Sequence, residues 1–198
     1  MSLANYLTFF RLFISPCFML VYLEYEFFGI PFRFLPYILI ILLAASELSD
    51  AFDGYVARRL NQVSDLGKIL DPMADSVSRI AVFLSFTQPP VSLPLIVVFI
   101  FIYRDSVIST LRTICALRGY ALAARLSGKI KAVIQAIVCF LILGSMAFYA
   151  EGHLALKYLQ SISFWATLIV AIYALASGAE YLYCNRSFVR KILQKEES

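Results

Sequence analysis

Apolar residues fall in six long blocks, at about 6–28, 34–58, 70–88, 92–118, 129–150 and 160–184, parted by polar, proline or glycine punctuation such as "GIPF", "TQPPVSLP" and "LRGYALAARLSGK". A bilayer's hydrocarbon core is matched by a helix of roughly 20 apolar residues. The pattern therefore predicts an all-α integral membrane protein with six transmembrane helices and both termini on one side. Residues 1–198 leave room for one membrane domain and none for a separate soluble one. Pro89, Pro90 and Pro94 predict a tight turn, and no repeat of fixed period is visible.

The basic residues fix an expected orientation. Arg58, Arg59 and Lys68 follow the second block, Arg112, Arg118, Arg125, Lys129 and Lys131 surround the connection after the fourth, and Arg186, Arg190, Lys191 and Lys195 lie in the tail. The alternate connections hold Arg33, Lys157 and acids such as Glu24, Glu26 and Glu151. By the positive-inside rule both termini are expected in the cytoplasm, with the chain multi-pass in the inner (cell) membrane.

Composition agrees: 61% of residues are hydrophobic and 15% charged. The net charge of +4 is dispersed among apolar blocks, which favours anionic lipid head groups or small phosphorylated molecules and argues against nucleic acid. Cys17, Cys115, Cys139 and Cys184 lie far apart without metal or redox spacing and read as small core residues. Arg11 interrupts the first block and no cleavage pattern follows, so residues 1–28 read as a retained helix and not as a signal peptide.

Against this background, "SDAFDGYVARRLNQVSDLGKILDPMADSVSR" places five aspartates within 26 positions. One aspartate at mid-bilayer costs about 2.5–3.5 kcal/mol, so four amount to roughly 10–14 kcal/mol before compensation. In helical register Asp50, Asp53 and Ala57 share one face, and Gly67, Asp71 and Asp75 share another. Two faces with four carboxylates suit hard divalent cations; an oxygen-only set favours Mg²⁺ or Mn²⁺ over Zn²⁺, and four ligands match two ions. Gly54, Ala57 and Gly67 permit close approach of a bulky ligand, and Arg58 suits phosphate oxygens. Asp65 reads as part of a solvated loop. Spacing alone leaves open an ion or proton pathway, or salt bridges without chemistry.

The run Asp50-x2-Asp53-Gly54-x2-Ala57-Arg58-x8-Gly67-x3-Asp71-x3-Asp75 resembles the signature of the CDP-alcohol phosphotransferase family at all eight fixed positions. The resemblance implies a two-metal centre on Asp50, Asp53, Asp71 and Asp75. It further implies a cytidine and diphosphate pocket lined by Asp50, Gly54, Ala57, Arg58, Gly67 and Asp71, with Asp75 as the base. The active site is then expected at the cytoplasmic end of the bundle, and a homodimer is implied by the resemblance alone.

The second half bears on the acceptor. "YRDSVISTLRTICALRG" and "LSGKIKAVIQ" resemble segments of bacterial phosphatidylglycerophosphate synthases, with Arg104, Asp105, Arg112, Lys129 and Lys131 at the matching positions. Arg104 and Arg112 project from similar sides of one helix about 12 Å apart along its axis. Four cations, Arg104, Arg112, Lys129 and Lys131, suit a doubly charged acceptor phosphate, although as positive-inside anchors they would need no ligand. Asp105 is expected to orient one of the arginines. "NYLTFFR" resembles the N-terminal segment of the same group, which adds Asn5 and Thr8 to the CDP-diacylglycerol pocket's rim and leaves Arg11 between that rim and snorkelling to head groups. One departure stands out: that group has Lys after the last motif aspartate, whereas this chain has Ser76, with Arg79 one turn beyond Asp75. Glu47 and Glu180 are acids outside the signature, and His153 reads as solvated.

The implied reaction is transfer of the phosphatidyl group from CDP-diacylglycerol to sn-glycerol 3-phosphate within membrane lipid. Rival readings are a related synthase using inositol phosphate or phosphatidylglycerol, and a divalent-ion transporter. The acids lie off-centre along the helices, whereas a transporter site is expected near the midplane.

Overall fold

The computed structural model describes residues 3–59, 65–117 and 125–186; within them, the side chains at 3–5, 7, 53–59, 65–72 and 116–117 lie outside the description. Among the described residues six α-helices follow one another: α1 Leu3–Leu23, α2 Leu35–Arg59, α3 Asp65–Ser85, α4 Leu95–Leu117, α5 Leu126–Ala150 and α6 Leu156–Cys184. No strand occurs among the described residues. α1 packs against α2 and α3, α5 against α6 and α2, and α4 against α6 and α3.

Two boundaries depart from the apolar pattern. The first block extends to residue 28, yet α1 ends at Leu23 and residues 24–29 turn back on themselves, with Gly29 N–H donating to Glu26 O (2.9 Å) and Ile30 N–H to Tyr25 O (2.9 Å). Gly29 adopts φ +66°, a left-handed conformation that favours glycine and closes the turn. Phe27 and Phe28 are exposed there, so hydrophobicity was no sign of helix. At the other boundary, Asp65 is not a loop residue: it opens α3.

Apolar residues are distributed by shape. Phe18, Tyr22, Phe83, Phe86 and Phe101 interlock at the centre with edge-on or tilted rings, Phe83 and Phe101 having centroids 4.8 Å apart. Leu39, Ile142, Leu143, Met146 and Leu159 complete this core. Large side chains such as Phe13, Ile41, Ile96, Ile137, Trp165 and Ile169 face outward, the arrangement expected of a bundle whose surroundings are apolar. Among the described residues, three segments are long and apolar enough to cross a membrane, Leu35–Phe52, Leu126–Ala150 and Leu156–Cys184, with a shorter apolar helix at Thr8–Leu23. The two remaining helices, α3 and α4, carry much of the charge, including Asp71, Asp75 and Arg79 on α3 and Arg104, Asp105 and Arg112 on α4.

At the turn following α5, Arg33 forks onto Glu151, its Nε and Nη2 donating at 3.0 and 2.8 Å, and the Tyr37 hydroxyl donates at 3.3 Å. The hydrogen bonds from Arg33 hold the Glu151 carboxyl below its ordinary range.

Candidate active site

α2 and α3 bring Asp50 and Asp75 to the same place, and α1 supplies the charge between them. Arg11 Nη1 donates to Asp50 Oδ1 (2.5 Å) and also to Asp75 Oδ1. Arg11 is only 2% exposed, which corrects the expectation of a rim residue or a snorkelling one: it is an internal ion-pair partner. The surrounding contacts lock α1 onto α3, Ser15 Oγ lying 2.8 Å from Arg11 O and 2.7 Å from Ser78 Oγ. Thr8, one turn before Arg11, is buried as well.

Two acceptors on one nitrogen are separated by at most two hydrogen-bond lengths, about 6 Å. The carboxylates are thus close enough to need a shared counter-charge, and both present oxygen, the donor hard divalent cations take. Asp53, Gly54, Ala57 and Arg58 lie on α2 and Gly67 and Asp71 on α3, but their side chains, like that of Asn5, fall outside the described residues. Among the described residues no group of three or more metal-ligating side chains forms, Asp50 and Asp75 being the two motif aspartates whose side chains are described. The chemistry of this donor set fits a divalent cation.

Beyond Asp75 opens a cavity of about 190 Å³ between α3, α4 and α5. Its walls include Asp75 and Ser76 together with Arg79, Arg104, Arg112, Arg125, Lys129 and Lys131. The four cations singled out in the second half are therefore brought into one cavity with the last motif aspartate. Among the described residues, six basic side chains and two acids, Asp75 and Asp105, line it, an excess of four positive charges.

These cations are unequally committed. Lys131 is 4% exposed and its Nζ donates to both oxygens of Asp105, at 2.6 and 2.9 Å, while Arg104 Nη1 donates to the same Asp105 Oδ1 at 3.0 Å. Asp105 thus holds a lysine and an arginine, more than the single arginine expected of it. Arg112 Nε donates to the Tyr181 hydroxyl (3.2 Å), with its guanidinium 5.1 Å from that ring's centroid. Arg125 pairs with Glu180 at 2.9 Å. Lys129 is exposed at the start of α5.

α6 contributes what sequence reasoning missed. Besides Tyr181, it places Ser177 Oγ 3.3 Å from Arg104 Nη2 and Gly178 so close that a Cβ there would lie 3.1 Å from Arg104 Cγ. The one sequence signal was weak: small and hydroxylated residues, Ser177, Gly178 and Tyr181, spaced along one face of an otherwise apolar helix. Glu47, also outside the signature, faces Arg79 across α2 and α3 with 3.8 Å between Oε2 and Nη2.

This helical bundle, with acids and cations gathered in adjoining cavities, belongs to the CDP-alcohol phosphatidyltransferase family, whose model matches residues 1–173. Among individual relatives, a CDP-diacylglycerol–glycerol-3-phosphate 3-phosphatidyltransferase of Bacillus subtilis is 30% identical over 193 residues, covering 93% of this chain and 95% of the relative. Proteins of the same name from Wigglesworthia glossinidia brevipalpis and Sodalis glossinidius are 31% and 28% identical, covering 78% and 94% of this chain and 89% and 96% of their own lengths.

Proposed function

We propose that this chain transfers the phosphatidyl group of CDP-diacylglycerol to sn-glycerol 3-phosphate, giving phosphatidylglycerol phosphate and CMP. The observation that carries this reading is the cavity that joins Asp75 to an excess of positive charge. A neutral alcohol or an amino alcohol gains nothing from such a wall, whereas a phosphorylated acceptor is held by it next to a carboxylate. The names of the relatives point to the same acceptor.

In the reaction the acceptor hydroxyl oxygen forms a bond to the phosphorus that carries diacylglycerol. The bond from that phosphorus to the oxygen shared with CMP breaks, and CMP leaves with the electron pair. Asp75 takes the hydroxyl proton, as a carboxylate in contact with the acceptor cavity can. Arg104, Arg112, Lys129 and Lys131 hold the acceptor's phosphate, and Asp105 fixes Arg104 and Lys131 in place. Asp50, Gly54, Ala57, Arg58, Gly67 and Asp71 bind the nucleotide end of the lipid substrate, with Asn5 and Thr8 beside them on α1. Asp50, Asp53, Asp71 and Asp75 would hold the divalent cations, Mg²⁺ or Mn²⁺ in two sites, which when bound neutralise the diphosphate and the departing CMP.

All six helices span the inner membrane with both termini cytoplasmic, so that lipid stays in the bilayer while nucleotide and glycerol phosphate meet it at the cytoplasmic surface. The working unit is a homodimer. Purified protein in detergent, given CDP-diacylglycerol, Mg²⁺ and one acceptor at a time, should release CMP with glycerol 3-phosphate in preference to inositol phosphate, phosphatidylglycerol or serine. Release with an unphosphorylated acceptor alone would refute the assignment.

A further inference from the structure

Arg79 stands where three cavities meet. It lines the 190 Å³ acceptor cavity, a cleft of about 10 Å³ shared with Arg11, Asp50 and Asp75, and an apolar hollow of about 20 Å³ bounded by Phe18, Leu43 and Val82. Its side chain is largely buried and its Nε has no hydrogen-bond partner. Its ion pair with Glu47, at 3.8 Å, is longer than a hydrogen bond. Arg104, Lys131, Arg112 and Arg125 each have a partner within 3.3 Å. A buried fork of donors has thus been left under-used at the edge of a cavity rich in positive charge.

The neighbouring acid makes Glu47 informative. Asp75 and Arg79 are four residues apart on α3 with the acid N-terminal, the spacing and order that favour pairing along a helix. Asp75 instead contacts Arg11, and the ion pair of Arg79 runs across to Glu47 on α2. The ion pair with Glu47 therefore competes with one to Asp75, the carboxylate that needs to accept a proton, while Arg79 still lines the acceptor cavity.

We propose that Arg79 is a specificity-determining residue that grips the acceptor's phosphate beside Asp75, and that Glu47 is the positioning residue that keeps Arg79 off Asp75. This rests on the reading of a phosphorylated acceptor above. Ser76, small and in the same wall, leaves the space through which Arg79 reaches that phosphate.

The test is steady-state kinetics of the full-length protein in detergent with both substrates varied. Arg79→Gln should raise KM for glycerol 3-phosphate about ten- to hundredfold, the range for losing a hydrogen-bonded charge, with KM for CDP-diacylglycerol within about twofold of wild type. Glu47→Gln should lower kcat, because Arg79 then falls onto Asp75. The exchanged pair Glu47→Arg with Arg79→Glu discriminates: a merely structural bridge is restored by the swap, whereas a grip on phosphate is not. Recovery of acceptor KM in the swap, or an equal rise for both substrates in Arg79→Gln, overturns the inference. Where Arg79→Gln does not accumulate, Arg79→Lys reads the same parameter, and an unchanged acceptor KM overturns it equally. Wild-type protein that uses an unphosphorylated acceptor overturns the proposed function and this inference together; wild type that uses glycerol 3-phosphate while the variants keep its KM overturns the inference alone.

Discussion

Replacing Asp105 with Asn removes one negative charge from a buried cluster in which it is the acceptor for two cations. In the folded protein Lys131 Nζ lies 2.6 and 2.9 Å from its two oxygens and Arg104 Nη1 3.0 Å from one of them, and Asp105 itself is 8% exposed. Asparagine keeps the shape but leaves two neighbouring positive charges uncompensated. Breaking a buried ion pair from one side costs about 3–5 kcal/mol. For a chain of this length each kcal/mol moves the melting temperature by about 2–4 °C, so a fall of roughly 6–20 °C is expected in a thermal scan of detergent-solubilised protein. The same variant carries one more net positive charge in the acceptor cavity, so added inorganic phosphate should raise its melting temperature by more degrees than it raises that of wild type. At a ligand concentration of a hundred times Kd, binding contributes about 2.7 kcal/mol, which is large enough to read. A variant that melts within about 2 °C of wild type and shows the same response to phosphate would refute the view that Asp105 neutralises Arg104 and Lys131.

Gly178→Ala places a methyl group 3.1 Å from Arg104 Cγ, whose guanidinium is held by Asp105 and Ser177, so the side chain has little room to yield. Overpacking of about 1–3 kcal/mol is expected as a lower melting temperature, with a higher KM for glycerol 3-phosphate. Tyr181→Phe removes the hydroxyl that accepts from Arg112 Nε but keeps the ring under its guanidinium; a rise of about two- to tenfold in acceptor KM is expected, and a larger one for Tyr181→Leu. Asp75→Asn should lower kcat by about 10²–10⁴-fold, measured as CMP release, while CDP-diacylglycerol still binds. At the turn after α5, the lowered pKa of Glu151 means that its pairing with Arg33 contributes stability above the ordinary carboxylate range and loses it as pH falls through the lowered value. Arg33→Ala should therefore differ from wild type in melting temperature at neutral pH and converge with it in acid.

The six helices were legible because each apolar block is long enough to be nothing else, and punctuation by proline and glycine limited their ends to a few residues. The exceptions have physical causes. Phe27 and Phe28 are apolar but sit in a turn that Gly29 closes, and Asp65 is polar yet opens α3. The resemblance of two segments singled out Arg104, Arg112, Lys129 and Lys131 together, and the structure lines one cavity with all four and Asp75. What could not be read were pairings between distant helices. Arg11 with Asp50 and Asp75 spans 39 and 64 residues, Arg112 with Tyr181 spans 69, and Arg104 with Ser177 spans 73. No local period encodes such contacts; they follow from which helices pack together and at what height.

Arg11 also bears on how the chain is made. It lies on α1, ahead in the chain of Asp50 on α2 and Asp75 on α3, and synthesis proceeds from the N-terminal side. A cation made before both carboxylates is available to pair with each of them as α2 and α3 pack onto α1. Arg11→Ala should therefore show itself first as poor accumulation of the protein and only afterwards as lost turnover.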